Sequence, residues 1–113
     1  MSPFSVDVTS DGPQVLVAPH GEVDLATAPE VRAAVDGASG AGLVVLDLTG
    51  VSFLDSSGCR VLATAGRTVP AWGGRLAVVC PKENAAVYRV LELVGLPAAV
   101  ALHATVASAR TAG

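Results

Sequence analysis

The residues best placed to do chemistry in this chain are Asp55-Ser56-Ser57-Gly58, small polar groups directly ahead of a long helix-compatible segment. The first amides of a helix lack internal partners and carry partial positive charge, so short oxygen-bearing side chains are favoured there and an anion is tolerated. On that ground alone, Asp55, Ser56 and Ser57 are helix-capping residues. A serine hydroxyl can also act as a nucleophile, which requires a base and an oxyanion arrangement. The chain has no Gly-x-Ser-x-Gly, and its only histidines, His20 and His103, are placed by no motif.

The elements that hold this run in place can be read around it. Leu43 to Leu48 is apolar except for Asp47, the pattern of a strand buried on both faces. Asp47 therefore calls for a hydrogen-bonded structural role near the strand end. A tight connection follows at Thr49 and Gly50, and Val51, Phe53 and Leu54 return the chain to the core. Beyond the serines, Cys59, Leu62, Ala63 and Gly66 recur at helical spacing, with Val61, Ala65 and Val69 on an adjacent strip. So wide an apolar surface packs on the sheet and leaves apolar area near the helix start for a partner. Pro70 stops the helix.

Before the central strand, Phe4, Val6 and Val8 alternate with polar residues as in a half-buried strand, and Asp11-Gly12-Pro13 turns it into a second strand, Gln14 to Ala18. Pro19, His20 and Gly21 disturb that strand, leaving residues 21 to 24 as an extended exit. Thr27 and Glu30 form a capping-box pattern with Pro29 in the first turn, predicting a helix from Ala28 to Asp36 with Ala28, Val31 and Val35 inward. Gly37, Gly40 and Gly42 follow a helix and precede a strand, the wrong order for a phosphate cradle, and read as a flexible return.

After the central helix, Trp72-Gly73-Gly74 leads into a strand at Arg75 to Val79, closed by Pro81. A third helix is expected at Glu83 to Val94, with Val87, Val90, Leu91 and Val94 on its apolar face and Tyr88 and Arg89 solvated. Residues 99 to 102 form a short last strand and Thr105 to Ala112 a terminal helix. The order β-β-α-β-α-β-α-β-α implies one α/β sandwich domain over residues 1 to 113, with a mixed, mostly parallel sheet of about five strands.

Composition removes several classes of function. A hydrophobic fraction of 51% against 15% charged residues argues against disorder. Gly, Pro and charge interrupt the apolar stretches too often for a bilayer span, and the first residues lack a signal-peptide pattern, so a cytoplasmic location is expected. With net charge -3 and seven scattered Lys and Arg residues, neither nucleic acid nor an anionic membrane is an expected partner. Cys59 and Cys80 lack metal or redox spacing and read as buried free thiols; the histidines have no ligand spacing, and no metal or cofactor is expected.

The segments GEVDLATAPEVRAAV (21 to 35), LVVLDLTGVSFLDSSGCRVL (43 to 62), GGRLAVV (73 to 79) and VYRVLELVGL (87 to 96) together resemble the STAS domain of bacterial anti-sigma factor antagonists. The likeness spans nearly the whole chain, and its most specific piece is Phe53 to Gly58. It implies a STAS-type sandwich and a non-enzymatic, monomeric binding switch. The second hydroxyl residue of Asp-Ser-Ser-Gly, here Ser57, would be phosphorylated by an anti-sigma factor of the serine-kinase type. The unphosphorylated form would bind that partner and release a sigma factor, and a serine phosphatase would reset the switch.

The partner-binding residues implied are Asp24, Asp55, Ser56, Ser57, Gly58 and Arg60. Cys59-Arg60 replaces the family's usual Leu-Gly; Arg60 adds a cation beside the recognition patch and is a candidate partner for a phosphate on Ser57, although adjacent helix residues do not face each other. The alternative is a STAS scaffold, transport-accessory or nucleotide-binding module without phosphorylation.

Overall fold

A computed structural model of the chain describes residues 4–111. Its elements are β1 (Ser5–Asp11), β2 (Gln14–Val23), α1 (Ala28–Asp36), β3 (Leu43–Asp47), β4 (Val51–Leu54), α2 (Ser56–Ala71), β5 (Arg75–Val79), α3 (Ala85–Leu93), a 3-10 turn (Leu96–Ala98), β6 (Ala101–His103) and α4 (Val106–Thr111). The sheet runs β1-β2-β3-β5-β6, and β4 pairs with the far half of β2. The β1–β2 hairpin is antiparallel. The β2–β3, β2–β4, β3–β5 and β5–β6 pairs are parallel.

Strand β3 shows why the centre is apolar on both faces. Val44 and Leu46 join Leu76, Val78 and the buried faces of α1, α2 and α3. Leu43 and Val45 point the other way, with Ala77 and Val79, into a smaller core closed by Ala109 of α4. Burying each such side chain stabilises the fold by roughly 2 kcal/mol relative to exposure. Asp47, at the strand end, accepts from the Thr49 amide at 3.0 Å and the Thr49 hydroxyl at 2.6 Å, closing the turn toward β4 as a hydrogen-bonded structural carboxylate.

The expected sheet of about five strands has six, because Val51–Leu54 is a strand and not a loop. Its four residues are too short to signal a strand, and their pairing partner lies thirty residues back in sequence at Gly21–Val23. Phe53 does not return to the core; it is 48% exposed. Strand β2 continues through Pro19 to Val23 instead of ending at Ala18. It leaves β3 after Val17 and meets β4 from Gly21. Pro19 falls between these partners, where its missing N–H forfeits no ladder bond on that side.

Helix ends differ for equally physical reasons. The capping box at Thr27 and Glu30 does not form: the Thr27 side chain makes no cap bond and donates instead to the Glu22 carbonyl at 2.7 Å. Pro70 lies inside the last turn of α2, which ends at Ala71. Helix α3 is shorter than expected, and Val94 lies beyond it, 55% exposed. On α2 the buried strip is Gly58, Leu62, Ala65 and Val69, which leaves Cys59, Ala63 and Gly66 on a flank. Tyr88 is partly buried against the core. The last strand is Ala101–His103, and the expected end of the terminal helix at Ala112 lies outside the described residues.

Candidate functional site

Parallel pairing of β2 and β4 sets Val23 opposite Leu54, so Asp24 and Asp55 leave adjacent strand ends in the same direction. The Asp55 amide donates to the Val23 carbonyl at 3.2 Å, joining the two exits. Asp55 then caps α2: its carboxylate accepts from the Ser57 amide at 2.8 Å and the Gly58 amide at 3.3 Å, while its carbonyl accepts from the Cys59 amide at 3.0 Å. Two of the orphan donors at the helix start are thereby met by one side chain.

Asp24 has the matching task on the other exit. Its carboxylate accepts from the amides of Ala26 at 2.9 Å and Thr27 at 3.1 Å and from the Thr27 hydroxyl at 3.2 Å, and its own amide donates to that hydroxyl at 2.9 Å. Asp24 is thus a structural brace of the loop into α1. The loop it shapes presents Leu25, 79% exposed, and Phe53 adds a second apolar group from β4.

Ser56 is exposed and Ser57 half-buried on the first turn of α2. Among the described residues, the Ser57 hydroxyl has no hydrogen-bond partner. His20 bonds to Asp7 at 3.0 Å and His103 to Ser108 at 3.1 Å, so each histidine is engaged away from Ser57. Gly58 is buried, and a Cβ there would sit inside the van der Waals distance of Leu54 Cδ1. Its lack of a side chain lets α2 start directly against β4.

Arg60 is exposed, and its i,i+3 spacing from Ser57 makes the two neighbours on the helix surface. Cys59 is half-buried; burial first, and then the Asp55 carboxylate, push its thiol above the usual value. The Cys59 sulfur is therefore a protonated, weakly nucleophilic thiol at neutral pH. Among the described residues no group of His, Cys, Asp and Glu side chains is arranged to hold a metal ion. No helix of the described residues is long and apolar enough to cross a membrane.

Residues 5–109 match the family model of the STAS domain. The chain belongs to the STAS domain family. Its structure is similar to that of an anti-sigma factor antagonist from Mycobacterium paratuberculosis, at TM-score 0.85 and 28% identity over 96% of this chain and 92% of the other. It is also similar to a candidate anti-sigma factor antagonist from Thermotoga maritima, at TM-score 0.82 and 25% identity over 93% of this chain and 91% of the other. The Bacillus cell fate determinant SpoIIAA in its phosphorylated form shares the fold, at TM-score 0.68 and 23% identity over 95% of this chain and 96% of the other. No curated protein matches the sequence.

Within this STAS fold, Asp55, Ser56, Ser57 and Gly58 occupy one helical turn, and Asp24 stands at the neighbouring strand exit. Sequence reasoning missed Asn84. Its side-chain amide donates to the Leu48 carbonyl at 3.2 Å and the Val51 carbonyl at 2.7 Å, tying the start of α3 to the turn that launches β4. No sequence signal marks it, because both acceptors are backbone atoms more than thirty residues away.

Proposed function

We propose that this chain, acting as a single STAS domain in the cytoplasm, is an anti-sigma factor antagonist whose binding is controlled by phosphorylation of Ser57. The observation that carries the reading is the free Ser57 hydroxyl on the capped first turn of α2, beside the braced Asp24 loop. Its likeness to the mycobacterial antagonist over nearly the whole of both chains supports the general role.

In this reading a serine-kinase anti-sigma factor is both the binding partner and the kinase, and a serine phosphatase restores the hydroxyl. The chain is acted on and does no chemistry of its own. Asp55, Ser56 and Ser57 contact the partner, Asp24 and Gly58 position that contact, and Arg60 borders it.

The geometry suggests how phosphate would act. A phosphate on Ser57 carries about two negative charges. The amides of Ser57 and Gly58 are already held by the Asp55 carboxylate. The added group is therefore directed outward instead of folding back onto the helix end, so the fold persists and the contact surface gains negative charge. A loss of about 2.8 kcal/mol at an interface is a hundredfold in affinity, within reach of one desolvated like-charge contact.

Incubating the protein and Ser57→Ala with candidate anti-sigma kinases and ATP, followed by intact mass and binding of each form, tests the proposal. One added phosphate on the wild type, absent from Ser57→Ala and accompanied by weaker binding, is expected. Binding by a wild type that stays unmodified would remove the phosphoacceptor and leave a constitutive scaffold.

A further inference from the structure

One side of α2 lies open. The flank of the helix not used by the core faces the segment Val94–Val100 across a groove of about 500 Å³. Cys59, Ala63 and Gly66 line it from the helix, and Leu96, Ala99 and Val100 from the opposite wall. Val94 adds an exposed apolar edge. Arg60 and Arg67 also line it. Seven residues bring a helix round to nearly the same direction, so these two guanidinium groups share one line about 10 Å apart along the axis. Neither takes part in an ion pair among the described residues. In a chain of net charge -3, two of the seven basic residues thus stand along one apolar groove without counter-charges.

We infer that this groove docks an acidic amphipathic helix of a partner protein, its carboxylates pairing with Arg60 and Arg67. Three features select that occupant. Two glutamates one heptad apart on a helix laid along α2 repeat the spacing of the two arginines. The small, exposed residues Ala63 and Ala99 let a second backbone approach closely, while Val94 and Leu96 receive its apolar side chains. Arginine, finally, presents a planar fork that binds a carboxylate through two parallel hydrogen bonds. The groove meets the Ser57 turn at Ser56 and Arg60, and the inference concerns the unmodified chain, whether or not Ser57 accepts a phosphate.

The test uses the full chain and two labelled four-turn peptides of Leu and Ala, one with two glutamates a heptad apart and one with lysines at the same positions, titrated by fluorescence anisotropy. The glutamate peptide binds and the lysine peptide does not. Arg60→Ala and Arg67→Ala each weaken binding about threefold, the double variant about tenfold, and added salt weakens wild-type binding by a similar factor. Ala63→Trp, at an exposed position, fills the groove and abolishes binding, with an unchanged melting curve showing that it folds. Arg67→Ala, about three turns from Ser57, weakens the glutamate peptide yet leaves phosphate incorporation by the candidate kinases unchanged, so the two readings fail separately. Equal affinity for both peptides, or an affinity indifferent to the arginines and to Ala63→Trp, overturns the inference. So does concentration-dependent self-association that is lost in Ala63→Trp, which would make the occupant a second copy of the chain. Decanoate that binds the wild type but not Ala63→Trp, with no binding of the glutamate peptide, would reassign the groove to a small amphiphile.

Discussion

Replacing Gly58 with alanine adds one methyl group where α2 starts against the sheet. The new Cβ would overlap Leu54 Cδ1 and stand 3.0 Å from Val23 Cγ1 and 3.2 Å from Leu54 Cγ, against about 3.5 to 4.0 Å for an unstrained carbon contact. Leu54 and Val23 are 4% and 2% exposed, so neither side chain can swing into solvent. Overpacking of this kind costs about 1 to 3 kcal/mol. The better helix propensity of alanine returns up to about 1 kcal/mol. The expected net loss is about 1.5 kcal/mol, or roughly 6 °C in melting temperature for a chain of this size.

Urea unfolding followed by the fluorescence of Trp72, the sole tryptophan, measures this loss directly. A double-mutant cycle sharpens it. Leu54→Val removes the atom that the new methyl meets; alone it costs about 1 kcal/mol, but in the Gly58→Ala background it costs less, because part of the clash leaves with it. A Gly58→Ala protein as stable as the wild type, or strictly additive losses, would refute the claim that close packing against Leu54 requires glycine here.

Asp55→Ala removes the cap on the Ser57 and Gly58 amides and lowers stability by about 1 kcal/mol, measured by the same urea titration. Asn84→Ala leaves the Val51 carbonyl without its side-chain donor and costs about 1 to 2 kcal/mol; amide exchange accelerated across β4 more than across β3 would locate the effect. Burial first, and then the Asp47 carboxylate, push the Cys80 thiol up to about 11. Its unfolded value is about 8.5, so the unfolded chain loses this proton first as pH rises. The stabilisation is complete below that value and is lost between it and about 11. Stability measured across this range falls less steeply in Cys80→Ala than in the wild type; parallel curves would show that the thiol makes no such contribution.

Much of this protein is determined within short windows of its sequence. The apolar run at Leu43 to Leu46 makes a doubly buried strand wherever it is placed in the sheet, because neither face can be left in water. Asp55 ahead of two serines makes a helix start, since its carboxylate can reach the amides two and three residues on. Such features depend on neighbours in the chain, and local pattern is enough to find them.

The rest was decided by partners distant in sequence. Strand β4 exists because the extended end of β2, past Pro19, offers it an edge, and that pairing turns Phe53 outward and sets Asp24 beside Asp55. The Thr27 hydroxyl leaves its cap for the Glu22 carbonyl only once the exit of β2 is bent over it. Arg60 and Arg67 become the rim of one groove because the Val94–Val100 segment packs opposite them. In each case the energy lies in a contact between backbone or side-chain groups that no local window contains, and tertiary structure alone brings those groups together.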